Sequence, residues 1–282
     1  MRRRTLLRST GLAGAAGLVG LAGCTAPGTS PEETTSTDLD VPDGAAVRVR
    51  NTNGSVVVDT HDGDGVVLTV TKRAPTSAGR FDEVTVETGS DSASDGEEGD
   101  GAAYLVETVY GTDEARRTVS VGLDLAVPAG TRVAETTTAN GRVTVGNTAG
   151  DLTVESANGA IEVRNVDGFV TVTAANGSVD VSGVAGVDGI ETSNGSIDAE
   201  VPAIRRDTTV RTSNGNVDVA LGADLDAELL ATTELGSIDV DDLALDPGER
   251  PARRVEGRLG DGGNRLRIRT GNGGIDLVAL EE

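Results

Sequence analysis

Glycine recurs every nine residues through the middle of the chain. Seven glycines follow this period without a gap: Gly141, Gly150, Gly159, Gly168, Gly177, Gly186 and Gly195. Every second one follows an asparagine, so the Asn-Gly pairs stand eighteen residues apart. A fixed period of this length restricts the chain to a repeat architecture, in which each unit packs on its neighbours.

Apolar residues alternate after most of these glycines. They stand two and four places after the glycine, as Val179 and Val181 do after Gly177. Such alternation predicts a short strand with one buried face. The half that begins at Gly186 departs from the pattern, because Asp188 stands at the first apolar place.

Two all-β folds fit this unit. An Asn-Gly pair between alternating strands is typical of a tight hairpin, which would give an antiparallel meander or sandwich. We predict instead a parallel, single-stranded β-solenoid with 18-residue coils made of two 9-residue halves. Its asparagines would form one column with amides hydrogen-bonded from coil to coil. The predicted corner residues are Asn140, Gly141, Asn158, Gly159, Asn176, Gly177, Asn194, Gly195, Asn214 and Gly215.

Composition favours the solenoid. The chain has no Trp, two Tyr and two Phe, so its core must be built from small apolar side chains. A phrase starting with Val-Pro also recurs at Val41, Val127 and Val201, each time ahead of an Asn-Gly pair. This duplication indicates one repetitive domain over residues 41–282. Insertions such as 246–264 are expected to form loops on its outside.

The combination of these words resembles a known family. The “VPAG” phrase at Val127, the segment “TTTANGRVTV” and repeated “NGSVDV” words are similar to the putative-adhesin, toast-rack-like β-solenoid domain of bacterial and archaeal surface proteins. The resemblance covers residues 41–282. It implies a β-solenoid and a surface location, and it supplies no catalytic residues.

The first residues read as a targeting segment. Residues 1–23 are predicted to be a signal peptide, and Arg2–Leu7 resembles a twin-arginine export signal. The uncharged run before Cys24 is too short to cross a bilayer, which takes about 20 apolar residues. “LAGC” at 21–24 looks like a prokaryotic lipobox, which implies cleavage before Cys24, the only cysteine, and lipidation of its thiol. We therefore expect an exported protein anchored to the outer face of the cytoplasmic membrane.

Two polar stretches lack apolar periodicity. Residues 24–40 are rich in Thr, Ser, Pro and acids, and are predicted to be the lipidated N-terminus followed by a disordered tether. Residues 89–101 are predicted to be a solvated acidic loop.

Charge limits the partners. With the signal removed, 20 basic residues would face 46 acidic ones, and almost all the basic ones are arginine. This balance resembles proteins of extreme halophiles, where molar salt screens self-repulsion. Nucleic acid is excluded as an expected partner, because phosphate binding needs clustered positive charge. The expected partners are the membrane, through the lipid anchor, and a surface protein or polysaccharide.

The sequence offers little catalytic chemistry. His61 is the only histidine and lies in a polar, turn-like stretch, so neither a Ser-His-Asp triad nor a zinc site is expected. No cofactor is expected. Only four aromatic side chains, Phe81, Phe169, Tyr104 and Tyr110, could stack on sugar rings. We expect a non-catalytic protein; the alternative is a β-helix enzyme acting on acidic polysaccharide.

Carboxylates recur in step with the corners. The third residue after each corner glycine is Thr144, Glu162, Asp180, Asp198, Asp218, Asp239 or Asp276. These positions point outward, because they lie between two inward-facing ones. Stacked coils would turn them into a line of like charges. We expect a salt-adapted acidic face; Ca²⁺ or Mg²⁺ binding, with Asp180, Asp198, Asp218 and Asp239 as candidate ligands, is the alternative.

The sequence thus predicts a lipid-anchored surface solenoid that serves in adhesion, binding or envelope structure. Its function would lie on the outward strand faces or in the loops at 59–65, 89–101 and 246–264.

Overall fold

The computed structural model describes residues 30–75, 78–91, 103–243, 245–249 and 252–280. These residues form a 21-stranded sheet, a 3-10 helix at Ala78–Glu83 and a short helix α1 at Asp113–Thr118. In this part of the chain, no helix is long and apolar enough to span a lipid bilayer. The predicted all-β solenoid is confirmed.

The strands follow one another with few long gaps. The first ten are β1 (Glu32–Leu39), β2 (Ala46–Asn53), β3 (Val56–His61), β4 (Val66–Arg73), β5 (Val84–Asp91), β6 (Ala103–Tyr110), β7 (Ser120–Pro128), β8 (Val133–Asn140), β9 (Val143–Gly146) and β10 (Leu152–Asn158). The others are β11 (Ile161–Asn176), β12 (Val179–Asn194), β13 (Ile197–Val201), β14 (Thr208–Asn214), β15 (Val217–Leu221), β16 (Ala227–Leu235), β17 (Ile238–Val240), β18 (Asp246–Glu249), β19 (Arg254–Leu259), β20 (Arg265–Asn272) and β21 (Ile275–Ala279).

Each coil has two sides that meet at an Asn-Gly corner. The strand that enters the corner forms the first side, and the strand that leaves it forms the second side. Neighbouring coils pair in parallel and in register, so Asn158 lies opposite Asn176 and Ile161 lies opposite Val179. This register excludes the antiparallel meander for the central stack.

The order of coils in the stack differs from their order in the chain. On the first side the order is β6, β2, β8, β10, β11, β12, β14, β20, β16. On the second side it is β7, β3, β9, β11, β12, β13, β15, β21, β17. The first and last coils of the repeat, β2–β3 and β20–β21, are thus each inserted between two others.

Antiparallel strands flank the stack at both ends. At one end β4 pairs with β7, β1 pairs with β4, and β5 pairs with β6. At the other end β19 pairs with β16, and β18 pairs with β19. These added strands cover the terminal coils on the first side at both ends and on the second side at one end.

Two predicted irregular segments contain strands. The prediction of a disordered tether at 24–40 is wrong over Glu32–Leu39, which forms β1. Threonine suits a pleated strand, and the hydroxyl side chains of β1 face those of β4. Ser36 Oγ, for example, lies 2.8 Å from Thr69 Oγ1. The loop at 246–264 is wrong over β18 and β19. In β19, Val255, Gly257 and Leu259 are buried while the residues between them are exposed.

The predictions for residues 1–29 and 89–101 fall wholly or partly outside the described residues. The predicted acidic loop at 89–101 is wrong at 89–91, which complete β5. Its remainder, and residues 1–29 with the signal peptide and Cys24, lie outside the described residues.

The core is a thin layer of aliphatic side chains between the two sides. Buried residues stack in columns, and one second-side column contains Val56, Val143, Ile161, Val179, Ile197, Val217 and Ile275. Each fully buried side chain of this size stabilises the fold by about 1.5–3 kcal/mol. The buried aromatics Phe81 and Tyr104 lie near the end that carries the added strands β1, β4 and β5.

Glycine at the corner is required by close backbone contact. Gly177 has φ of 150° and donates its N–H to Asn194 O at 2.8 Å. A Cβ added at Gly177 would lie 2.0 Å from the carbonyl oxygen of Gly159 in the neighbouring coil. The same contact recurs at Gly195, whose Cβ would lie 2.0 Å from Gly177 O. The repeated glycine therefore sets how closely the coils approach.

We predict that Gly177→Val destabilises the protein far more than Ser178→Val. The first change places a β-branched side chain against Gly159 O at an unfavourable φ, which should cost about 2–4 kcal/mol. Ser178 is the matched control, because it is exposed and adjacent in sequence. Thermal and urea unfolding measure both variants. Equal effects of the two would contradict the corner geometry.

Candidate functional site

An acidic ladder occupies the outward face of the second side. We use this name for the carboxylates midway between the two buried positions of successive strands. Their order in space is Glu162, Asp180, Asp198, Asp218, Asp276 and Asp239, with Thr144 preceding them. Asp276 lies between Asp218 and Asp239 because the β20–β21 coil is inserted there. Neighbouring strands are about 4.8 Å apart, so the carboxylates form a close row.

Neighbouring members of the ladder disfavour each other's ionisation. Partial burial raises the pKa of Asp218, and its hydrogen bond to Asp276 and the charge of that residue raise it further. Burial also raises the pKa of Asp180, as do the charges of Asp198 and Glu162. The row therefore carries a repulsive energy that salt or protonation relieves.

The four candidate metal ligands do not surround a common point. Asp180, Asp198 and Asp218 lie in line on successive strands, and Asp276 separates Asp218 from Asp239. Within the described ranges, no three His, Cys, Asp or Glu side chains form a group that could hold a metal ion. The geometry presents an extended acidic strip.

A column of asparagines runs along the corner. The five predicted members, Asn140, Asn158, Asn176, Asn194 and Asn214, each donate from Nδ2 to Oδ1 of the preceding asparagine at 2.6–3.0 Å. Asn53 begins the column and Asn272 follows Asn214, although both fall outside the eighteen-residue period. Leu235 takes the next place and is 60% exposed, which ends the column.

Buried hydroxyl groups support the corner from inside. Two places before the asparagine, Thr212 and Thr270 donate to the carbonyl oxygens of Gly195 and Gly215 at 2.9 and 2.8 Å. The carbonyl that approaches the next glycine therefore also accepts a side-chain hydrogen bond. The sequence did not predict this column of hydroxyl groups, because these threonines also fit an ordinary strand.

A second corner column was also missed. Asn147 and Asn165 have positive φ, and Asn165 Nδ2 donates to Asn147 Oδ1 at 3.0 Å. Asn147 Nδ2 donates in turn to Asp59 Oδ1 at 2.7 Å, and Gly183 takes the left-handed place in the following coil. The eighteen-residue spacing of 147, 165 and 183 was the available signal.

The departure at Asp188 has a structural cause. A register shift between β11 and β12 puts Val187 at the buried place and leaves Asp188 as an inserted residue. Its side chain is 7% exposed and accepts hydrogen bonds from both Arg205 and Arg206. Arg205 also lies 4.3 Å from the centre of the Phe169 ring.

Asp151 is a second carboxylate that contacts Arg205. Its burial favours the neutral form, but hydrogen bonds from the Phe169 N–H and the Arg205 guanidinium outweigh that effect, so its pKa is lowered. Arg205 Nη1 lies 2.8 Å from Asp151 Oδ2. Arg205 thus joins carboxylates that approach it from two coils.

His61 has a local role. Its ring lies half-buried at the end of β3, with Nε2 2.7 Å from Gly65 O, and the Gly63 N–H donates to Nδ1 at 3.2 Å. These contacts close the turn at 61–65 and bring no nucleophile or metal ligand to the ring.

These features define a parallel β-solenoid with polar corner columns and flanking antiparallel strands. A family model described as Toastrack DUF4097 matches residues 30–278, so the chain belongs to this family. No curated protein sequence matches the chain.

Several crystal structures match most of the chain at low identity and with TM-scores below 0.5. A “putative adhesin” from Parabacteroides distasonis ATCC 8503 is 12% identical with a TM-score of 0.42, covering 86% of this chain and 97% of that one. A “putative adhesin” from Bacteroides fragilis NCTC 9343 is 8% identical with a TM-score of 0.41, covering 88% and 97%. A “putative cell adhesion protein” from Clostridium sporogenes ATCC 15579 is 10% identical with a TM-score of 0.38, covering 89% and 100%.

We predict that lowering salt destabilises the protein and that Asp180→Asn with Asp198→Asn partly restores its stability. Carboxylates about 5 Å apart repel by roughly 0.8 kcal/mol per pair at the dielectric constant of water. At 1 M salt the screening length is about 3 Å, so most of this repulsion disappears. Thermal unfolding across a NaCl series measures the effect.

The control for this prediction is Asp62→Asn with Asp224→Asn, which removes two exposed carboxylates outside the ladder. A divalent site would reverse the result: the ladder variant would lose stability, and micromolar Ca²⁺ would rescue the unmodified protein at low salt where NaCl of equal ionic strength does not.

The raised pKa values predict a pH dependence of the free energy of unfolding. Asp180 and Asp218 have raised pKa values in the fold. At a pH between the unfolded-state and the folded-state pKa of each group, the folded state therefore binds more protons than the unfolded state. The contribution of these groups to stability therefore falls as pH rises through that window. Asp180→Asn with Asp218→Asn should be more stable than the unmodified protein at pH 7. This advantage should shrink as pH falls through the folded-state pKa and vanish below the unfolded-state pKa. Urea unfolding from pH 7 to 3 at fixed salt measures it; a pH-independent difference would contradict it.

Proposed function

We propose that this protein is a non-catalytic, lipid-anchored module that presents a stiff acidic surface outside the cytoplasmic membrane, in adhesion, binding or envelope structure. The observation that carries the proposal is the acidic ladder, an uninterrupted row of carboxylates from Glu162 to Asp239. A flat charged face of this kind suits contact with an extended partner.

Rigidity supports the same role. The amide column and the in-register strands connect every coil to the next through hydrogen bonds. Such a stack holds charges at fixed spacing along its length, because each coil can move only with its neighbours.

The position of the clefts favours binding over catalysis. The cleft bounded by residues 39–45, 64–66 and 128–132 has a volume of 490 Å³ and contains no ladder residue. The Asp218–Asp276 pair, in which burial and the neighbouring carboxylate raise the pKa of Asp218, instead lies on the outward strand face. A substrate bound there would gain little exclusion of water.

The proposed anchor would hold the solenoid near the membrane. Between Cys24 and the start of β1 at Glu32 there are only a few residues. A fully extended chain of this length spans at most about 30 Å. The proposed tether is therefore short, and the end of the stack that carries β1 and β4 would stand close to the lipid surface, with the ladder running away from it.

Replacing Cys24 tests the location. Cys24→Ser removes the only thiol, so the protein should lose acylation and leave the detergent-soluble membrane fraction, or keep its signal uncleaved. Membrane fractionation and intact-mass measurement report both outcomes. Cys24→Ala should behave in the same way, and Thr25→Ser is the control that keeps the thiol. Unchanged mass and fractionation of the two Cys24 variants would overturn the anchor.

A further inference from the structure

An arginine patch interrupts the acidic character of this protein. It lies on the outward face of the first side, and β16 with Glu228 and Glu234 divides it in two. Its members are Arg211 on β14, Arg265, Arg267 and Arg269 on β20, and Arg254 and Arg258 on β19. All six residues are exposed. Arg211 lies between two in-register neighbours, Arg269 on β20 and Glu191 on β12. The Arg211–Arg269 pairing is unfavourable because the charges are alike.

Three of these guanidinium groups are available to a ligand. The side chains of Arg211, Arg265 and Arg267 make no ion pair with any described residue. Arg269 is different, because its Nη2 donates to Glu234 Oε1 at 2.5 Å. Glu234 pairs with Arg269, and Glu191 faces Arg211 without an ion pair to it, so the repulsion between the two arginines is only partly compensated. An anion placed between them would relieve it.

A groove lies beside this pair. It has a volume of 320 Å³ and is lined by Arg211, Thr212, Ser213, Asn214, Glu234, Arg269, Gly271 and Asn272. Gly271 lines the groove without a side chain, whereas the equivalent places on the neighbouring strands hold Ser213 and Glu234. A Cβ at Gly271 would lie 2.6 Å from Ser213 O, so the strand contact itself favours glycine there.

The groove offers acceptors as well as cationic donors. Leu235 stands where the next asparagine of the column would be, so Asn272 Oδ1 accepts no hydrogen bond within the described part of the chain. Glu234 supplies carboxylate oxygens next to the two arginines. A simple inorganic anion would satisfy the guanidinium groups but would gain nothing from these acceptors.

We propose that this groove binds an acidic sugar unit of an extracellular polysaccharide. The anionic group of the sugar would accept hydrogen bonds from Arg211 and Arg269, while its hydroxyl groups would donate to Asn272 and Glu234. Arg265 and Arg267 would bind the next anionic group of the polymer. This inference rests on the proposed surface function and names the ligand class for it.

Two other polyanions fit the groove less well. The chain's four aromatic residues are Phe81, Phe169, Tyr104 and Tyr110, none of which lines it, so nucleobases would find no stacking partner. The acidic ladder of a second copy matches the patch in charge, but its carboxylates stand on a flat face and supply no hydroxyl donors to the groove.

The test measures binding of oligogalacturonate to the soluble Cys24→Ser protein by calorimetry, at a salt concentration at which the protein is folded. Maltooligosaccharide of equal length is the neutral control, and oligothymidylate is the control polyanion without acidic sugar rings. We expect oligogalacturonate to bind and the other two to bind at least about tenfold more weakly.

Variants then locate the site. Arg211→Gln with Arg267→Gln removes two unpaired guanidinium groups and should weaken oligogalacturonate binding at least about tenfold. Arg116→Gln with Arg117→Gln is the matched control, because it removes two exposed arginines of α1, outside the patch. Asn272→Ala should weaken binding without changing the charge, which separates the groove from general attraction to the patch.

Each alternative result overturns the proposal. Undiminished binding in the double variant would place the ligand elsewhere, and no binding by the folded protein would remove this ligand class. Equal binding of oligothymidylate would show attraction by charge alone. Concentration-dependent association that is lost in both the arginine variant and Asp180→Asn with Asp198→Asn would identify a second copy as the partner. If Cys24→Ser shows that the anchor exists while sugar binding fails, the proposed function stands without this inference.

Discussion

The close approach of one corner glycine to the carbonyl of the next governs the rest of this structure. With no Cβ, Gly177 can lie against Gly159 O, and the same contact recurs along the stack. Any slip of a coil would place a side chain in that contact. The corner therefore fixes the register of both sides at once, and the columns of aliphatic, hydroxyl and amide groups follow from this register.

The same register creates both favourable and unfavourable interactions between surface side chains. It aligns Asn158 and Asn176 so that each amide both donates and accepts, which satisfies polar groups at an exposed corner. It also aligns Asp180, Asp198 and Asp218, whose like charges lie on neighbouring strands. A protein built this way keeps a charged row only if its solvent or a ligand compensates the repulsion. This links the acidic ladder to the proposed high-salt setting.

The sequence allowed the corner residues and the all-β solenoid to be predicted, because they repeat at short, fixed spacing. The order of the terminal coils could not be predicted in this way. Leu235-Gly236 precedes Asn272-Gly273 in the chain, but the coils of these pairs lie in the reverse order in the stack, and that order depends on contacts between distant strands. The strand β1 was missed because its only apolar residue is Leu39 at its end, and because it is stabilised by cross-strand hydroxyl and ion pairs. The groove also could not be predicted from the sequence, because Arg211 and Arg269 are adjacent only through the insertion of β20 beside β14.

A perfectly repeated surface cannot specify one place along itself, since every coil offers the same groups. A site for a discrete ligand group must therefore come from departures from the repeat. Gly271 removes a side chain, Leu235 ends the amide column, and the insertion of β20 brings two arginines together. All three departures meet at one groove near the end of the stack. The repeating face can bind an extended partner in many positions, whereas this groove can hold one group in a fixed position.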